Sequence, residues 1–481
     1  MSNNIFIIAR QTFRMAYSNK ATFAFALLLG FSLLLATFVG WKNYKIQNEQ
    51  RLQYKKEVRA QWLANPDKHP HRMAHYGYLA FREKHELSFF DFGIESFAGV
   101  SIFLEAHKQN SVNFSEASFS NGMLRFGELS VAMVLQILFP LLIIFVGYNC
   151  ISAERESGTL KILLCQNTTW KDLLWGKTFG LLALSLSIFI PLIILTIILW
   201  GMLSNWQLSG DSVIRLLLLI AGYMIYFFVI SVITALVSAF SSGSRPALTT
   251  LLASWIFFIV IMPRVTQSVG IQIYPSPSKI SFLANIAEDV SKEGDSHNPD
   301  DPHYAKIKDS LLKKYNVNDV KNLPFNYGGF IMAEGEKITS NIYSRHQKNL
   351  NQIFENQNSI TKLASFLNPY LALKEVSMIL TASDYSTYTD FQNQAEQYRY
   401  GLAQKMNQLQ IEHISNEKPG EHDKPHMISR NNWASQKDFS YQFTKIGDAV
   451  AHNPIAFAAL FFWLMISIFG IQISVKRIKT I

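Results

Sequence analysis

The chain has 481 residues, of which 49% are hydrophobic and only 16% charged, with a mean hydropathy of +0.10 and a net charge of +9. That hydropathy is low for a chain made only of membrane spans and high for a soluble one, so spans must alternate with sizeable polar regions. The positive charge forms no compact Lys/Arg patch with interleaved aromatics, which argues against nucleic acid as a partner and for a bias around membrane spans, with lipid as the first neighbour.

Met1 to Lys20 lacks a short apolar core followed by a small-residue cleavage site, so no removable signal peptide is expected. On a helix, Ile5, Phe6, Ile8, Ala9, Thr12, Phe13, Ala16 and Tyr17 share one face and Arg10, Gln11 and Arg14 the other. Residues 1–20 therefore read as an amphipathic helix lying along the cytoplasmic membrane surface. Six apolar runs of bilayer length follow, at about 21–41, 129–149, 178–200, 213–240, 247–263 and 454–474. Arg245-Pro246 opens the fifth and Pro263-Arg264 is expected to close it. Pro140 and Pro191 lie inside the second and third, where they are expected to make static kinks accepted because neighbouring helices satisfy the freed carbonyls.

Two long polar insertions remain, 42–128 and 264–453, separated from the spans' other connections (150–177, 201–212, 241–246) and the tail 475–481. The first opens with a charged helical run, Tyr44 to Leu63, ended by Asn65-Pro66. The second reads as mainly helical. Ala333 to Phe366 is polar and nearly free of breakers, and Phe391, Ala395, Tyr398, Leu402, Met406 and Leu409 recur at helical spacing within Thr389 to Ile414. Glu293 to Pro302 and Asn416 to Pro425 are loops by composition. The aromatic stripe Tyr385, Tyr388, Phe391, Tyr398 and Tyr400 suggests helix packing before cargo binding, and the two insertions are expected to fold against each other. The fold class is mainly α: a polytopic membrane protein with six transmembrane helices and a largely helical extracytoplasmic domain.

Arg10, Arg14 and Lys20, then Arg245, then Lys476, Arg477 and Lys479 all flank spans on one side, which the positive-inside rule makes cytoplasmic. Lys42 and Lys45 oppose it, but long translocated regions cross largely regardless of charge. Both termini are thus expected inside and both insertions outside, with Cys150 and Cys165 at the reducing side and no disulfide framework.

Catalytic chemistry is sparse. Gly176-Lys177-Thr178 imitates the end of a phosphate-binding loop, but Lys171 stands where the earlier Gly is required, so Lys177 reads as an interface anchor. Leu208-Ser209-Gly210 is too short for an ATPase signature, and neither a His-Glu-x-x-His nor a Gly-x-Ser-x-Gly motif occurs. The chain is not expected to be an enzyme by itself. His69, His71, His75 and His85 in the first insertion, and His297 and His303 around the acidic loop, read as solvated surface residues, and no metal site is expected. Arg215 is expected to snorkel to the interface from the outer end of the fourth span. Ionisable residues are otherwise nearly absent from the span interiors, which favours an outside energy source over ion coupling and suits a lipid-like or bulky amphipathic cargo.

The segment between the second and third spans is the most specific. Ser152-Ala153-Glu154-Arg155-Glu156-Ser157-Gly158-Thr159-Leu160-Lys161-Ile162-Leu163-Leu164, followed by Trp170-Lys171-Asp172-Leu173-Leu174-Trp175-Gly176-Lys177, resembles the E-R-E-x-G-T-L … G-K pattern of ABC-2 type transporter permeases. Asn368-Pro369-Tyr370-Leu371-Ala372-Leu373 and the run Asp384 to Tyr400 look like the DUF3526-type subgroup, which carries a large extracytoplasmic region. The resemblance implies a half-transporter in a bacterial inner (plasma) membrane. A second copy of the chain, or a related permease, would complete the pore, and separate ABC ATP-binding subunits would hold ATP and Mg²⁺, with no cofactor in this chain. A cytoplasmic coupling helix would lie within about 154–175. There Glu154, Arg155 and Glu156 would make charge-assisted contacts in the ATPase groove and Leu160, Leu163 and Leu164 would fill an apolar pocket, with Ser157, Gly158, Thr159 and Lys161 in the same coupling segment. The alternative for these charges is that they cap a helix at the interface. Export or extraction of a substrate is the expected function; ATP-driven mechanotransmission to an envelope partner is the alternative, and a membrane-bound enzyme a third.

Overall fold

In the computed structural model, which describes residues 3–113, 115, 118, 129–298, 301–417 and 425–477, the amphipathic N-terminal segment is a helix, α1 (Asn3–Ser18), and α2 (Lys20–Leu63) begins at once. Asn19 separates them. Its backbone is extended, and its side chain accepts hydrogen bonds from the Ala21 and Thr22 amides, capping α2. At 44 residues, α2 is about 66 Å long, against about 30 Å of hydrocarbon to cross. The first span and the charged run Tyr44 to Leu63 are therefore one unbroken rod, about twice as long as the hydrocarbon is thick.

Beyond α2 come α3 (Pro70–Tyr76) and an antiparallel pair, β1 (Tyr78–Phe81) with β2 (Ser101–Leu104), in the register Tyr78 opposite Leu104. Then follow α4 (residues 131–147), α5 (Ser152–Glu156), α6 (Thr159–Cys165), α7 (Trp170–Leu203), α8 (Gly210–Phe240) and α9 (Ser244–Ile273). The second insertion supplies α10 (Lys279–Lys292), α11 (Pro302–Tyr315), α12 (Tyr327–Ala364), α13 (Pro369–Leu380), α14 (Tyr385–His413) and α15 (Ile446–His452), before α16 (Pro454–Arg477). The chain is mainly helical, and among the described residues six helical stretches are long and apolar enough to cross a membrane: α2, residues 131–156, α7, α8, α9 and α16. The loop expected at Asn416 to Pro425 falls mostly on residues 418–424, and the tail basic residue Lys479 on 478–481, both outside the described residues.

The helix that carries the fifth span does not end at Pro263. Residues Ile256–Ile261 form a π turn and the helix runs on to Ile273. A π turn also precedes Pro140, at Val134–Leu138. Proline lacks the amide that an α-helical carbonyl would accept, and widening the turn moves that carbonyl off the ring. Carbonyls in the turns before both prolines find partners on other segments, as expected of prolines in lipid. The Tyr226 hydroxyl donates to Gln136 O at 2.9 Å, Trp255 Nε1 to Ile137 O at 2.9 Å, and Asn368 Nδ2 to Phe258 O at 2.6 Å.

That last contact shows how the second insertion is built. Helix α13 sits within the bundle: Leu371, Ala372, Leu373, Val376 and Leu380 share one buried cluster with Tyr223 and Tyr226 of α8 and Leu460 of α16. From the first insertion, Leu87, Phe89 and Phe90 enter the same cluster, and Asp91 follows them in, accepting from Ser377 Oγ at 2.5 Å and Gln136 Nε2 at 3.4 Å. A buried carboxylate thus reaches the bundle from outside the spans, where a count of charges within the spans misses it. Arg215 does not snorkel either. It is 1% exposed and donates to the Ile379 and Thr444 carbonyls while pairing with Asp211 at 2.7 Å. The end of α13 offers it unsatisfied carbonyls and a partial negative charge, which hold a guanidinium better than the interface does.

Further described parts of both insertions share one core at that end of the bundle. Trp62, Met73, Tyr78, Ile102 and Leu104 from the first share a core with Phe391, Met406, Trp433 and Tyr441 from the second. Trp62 Nε1 donates to Trp433 O at 2.9 Å, tying the far end of α2 to the second insertion. Phe391 of the aromatic stripe is fully buried here and Tyr398 packs against Phe439, so these rings are spent on packing.

Candidate functional site

At the opposite end of the bundle, α1, the connection between the second and third spans, and the ends of α8, α9 and α16 meet. Ile8, Ile151, Leu160, Trp170, Val232 and Ile471 form the buried cluster there. Helix α1 lies against α7 at very close range. A Cβ on Gly176 would come within 2.6 Å of the Ile8 side chain, and one on Gly180 within 2.8 Å of Ala9 O. Gly176-Lys177-Thr178-Phe179-Gly180 is thus a small-xxx-small groove, which accounts for the glycine of the failed phosphate-loop match.

The three charges of Glu154-Arg155-Glu156 each reach a different spanning helix. Glu154 pairs with Lys177 of α7 at 2.5 Å. Arg155 donates to Ser241 O at 2.5 Å and Ala239 O at 2.6 Å, at the C-terminal end of α8. Glu156 accepts from the Ser244 amide at 2.8 Å and the Ser244 hydroxyl at 2.7 Å, at the N-terminal start of α9. A cation on a helix C-terminus and an anion on a helix N-terminus both satisfy orphan backbone groups and oppose the helix dipoles. Lys177, read from sequence as an interface anchor, is buried and paired.

After the brace the chain turns sharply. Ser157 ends α5, Gly158 takes a left-handed conformation (φ +76°) that suits glycine, and Thr159 starts α6. The Thr159 hydroxyl donates back to Glu154 O at 3.2 Å, locking the turn. Leu160 is buried against the bundle, with Leu163 and Leu164 half-buried beside it, so the leucines expected to enter a partner's pocket hold α6 in place. Exposed are Glu156, Ser157, Gly158, Thr159, Lys161, Cys165 and above all Ile162, 58% accessible. The residue pattern itself sets Ile162 apart, since Leu160, Leu163 and Leu164 share a helical face that excludes it. Thr169 and Asp172 then close a reciprocal capping box that starts α7. A cavity of ≈ 510 Å³ opens beside this region, lined by Met15, Asn19, Phe25, Asn149, Glu154 and Lys177 among others.

The histidines are not grouped as the sequence suggested. His69 caps α3, accepting from the His71 amide at 3.2 Å, and buried His85 accepts from the Leu87 amide at 3.2 Å. His303 is exposed against Tyr304. His71, His75 and His297 come together instead with His107, a residue no motif marked. Burial and the neighbouring rings of His75, His107 and His297 bring His71 down to about 4.

Residues 279–442 match a family model described as a domain of unknown function, DUF3526. The match runs from the start of α10 past the end of α14 and contains both Asn368–Leu373 and Asp384–Tyr400. No curated protein matches the chain.

Proposed function

We propose that this chain is the permease subunit of an ABC-2 type transporter in a bacterial plasma membrane, with both termini and α6 in the cytoplasm and the insertion domain outside. ATP and Mg²⁺ belong to a separate ATP-binding subunit that docks on α6, and a second permease copy or a related chain completes the assembly. The observation that carries this reading is the bracing of α6. Its exposed face projects from a base whose three consecutive charges are tied to α7, α8 and α9 separately. A push on that face is delivered to three spans at once, which a loop serving only to connect two helices does not need. The roles divide accordingly: Thr159, Lys161 and Ile162 meet the ATPase, Glu154, Arg155 and Glu156 transmit, Ser157 and Gly158 shape the turn, and Leu160, Leu163 and Leu164 seat the helix. Separate cavities of ≈ 510 Å³ beside α1 and α7 and ≈ 580 Å³ beside α13 and α14 lie at opposite ends of the bundle.

One feature favours the mechanotransmission alternative. The single rod α2 runs from the first span into the insertion-domain core at Trp62, so movement of that span necessarily moves the outer domain.

The test is co-purification from native membranes in mild detergent, with ATPase assay of the eluate. Ile162→Asp should lose a co-purifying ATP-binding protein while the chain stays folded. Arg155→Ala should keep the partner and lose ATPase stimulation, because it cuts transmission and leaves the docking face. Recovery of intact chain with no ATP-binding subunit, from membranes where other such complexes survive, would overturn the proposal.

A further inference from the structure

We infer that the insertion domain binds one divalent first-row transition-metal cation of the Zn²⁺ class through His71, His75, His107 and His297, and that this cation clasps the two insertions together.

The ligand atoms of the four imidazoles all lie within 4.8 Å of one another, and the ring centroids are 4.6 Å apart for His71 and His75 and 5.1 Å for His107 and His297. Three separate chain segments build this convergence. His71 and His75 stand one turn apart on α3, which Pro70 and the His69 cap start and Gly77 ends at a positive φ. His107 lies just after β2 in a left-handed conformation (φ 61°) that few non-glycine residues adopt. His297 comes from the loop after α10. That loop lies against α12 where the helix carries Gly335: a Cβ there would come within 2.7 Å of Ser296.

The surroundings are built for a ligand set. Glu336 accepts from the His107 amide at 2.7 Å and lies 3.1 Å from His107 Nδ1. The same carboxylate is held by Arg399 at 2.6 Å, and Arg399 is held in turn by Glu396 at 2.7 Å. This is the carboxylate–histidine arrangement that orients a ligating ring, since a proton kept on Nδ1 leaves the Nε2 lone pair for a cation. His107 Nε2 is buried without a hydrogen-bond partner, and so is His71 Nδ1. Buried polar atoms are rarely left unpaired, and a cation shared by this cluster of lone pairs would satisfy both. His75 and His297 are exposed, so the site opens to solvent and these two rings can swing the remaining distance to about 2.0–2.1 Å from a metal.

An all-imidazole set selects the cation. Hard Mg²⁺ and Ca²⁺ take oxygen ligands, and Glu336 is committed to His107 and Arg399, whereas imidazole suits Zn²⁺, Cu²⁺ and Ni²⁺. His71, His75 and His107 come from the first insertion and His297 from the second, so binding links two regions that are nearly 200 residues apart in the chain.

The measurement is Zn²⁺ binding by the full-length chain in detergent, purified on a tag without histidine and stripped with chelator. Titration calorimetry and metal analysis should give one Zn²⁺ per chain, tighter than about 10 µM, with no response to Mg²⁺ or Ca²⁺. His75→Ala and His297→Ala, both at exposed positions that folding does not need, should each weaken binding at least about tenfold. Glu336 is a positioning residue. Glu336→Gln should weaken binding by about 10–100-fold and change the visible spectrum of the Co²⁺-substituted chain, which a merely structural role would not do. His303→Ala should leave binding unchanged. Saturable binding that survives both His75→Ala and His297→Ala, or no saturable Zn²⁺ binding to folded wild-type chain, would overturn the inference.

Discussion

Arg215 and the charges at 154–156 illustrate one residue-scale rule: in this bundle a charge is kept where a helix end needs it. Arg215 closes the end of α13 and Arg155 that of α8, while Glu156 opens α9. Replacing Arg215 by Ala frees the Ile379 and Thr444 carbonyls and leaves Asp211 without its cation, a loss of about 2–4 kcal/mol. We expect a clear fall in the thermal midpoint of the detergent-solubilised chain. Arg215→Lys should recover only part of it, because an ammonium cannot span the three acceptors as the planar fork does. A midpoint unchanged in Arg215→Ala would mean that α13 is held by its apolar face alone. Charge type and position were legible in the sequence; the acceptors were not, because they are backbone carbonyls more than 150 positions away.

The elements that differ most from expectation are those in which a proline or a polar helix takes its partner from a distant part of the chain. Pro263 reads locally as a terminator, yet α9 continues because a π turn and the Asn368 amide absorb the missing hydrogen bond. Asn368→Ala should cost about 1–3 kcal/mol by leaving Phe258 O unpaired in the bundle. The penalty should shrink in a Pro263→Ala background, where an amide is restored nearby, and a double-mutant cycle on unfolding reads that difference. Additivity of the two changes would rule out the coupling. Between α12 and α14 the decisive contact is Glu336. Its burial alone would raise its pKa, but the bond to His107 and the Arg399 charge outweigh that and hold it at about 2, below the ordinary 4.5. A depressed carboxylate contributes stability above its unfolded pKa, so metal-free chain should lose up to about 3 kcal/mol as pH falls from about 4.5 to 2. Acid unfolding of Glu336→Gln, followed by circular dichroism, should lack that component.

For the whole molecule the proposed topology puts α6 in the cytoplasm and the insertion domain outside. The chain has two cysteines, and Cys165 is exposed on α6. With Cys150 replaced by Ser, a membrane-impermeant maleimide should label Cys165 only after the cells are permeabilised. Labelling in intact cells would invert the topology and with it the docking proposal. Orientation also decides where the histidine cluster works, because it lies in the insertion domain, at the end of the bundle opposite α6.

Hydropathy and helical periodicity determined the number and order of the spans, the amphipathic first helix, the helical character of the second insertion and the short helix that begins beyond Gly158. Each of these follows from residues within a few turns of one another, and local spacing is what a linear pattern records. Tertiary structure alone decided the rest: that α13 and Asp91 enter the bundle, that the leucines of α6 face inward and Ile162 outward, and that His107 joins three histidines from two distant segments. Those outcomes depend on which surfaces remain to be buried, and which polar atoms remain to be paired, once the helices have packed.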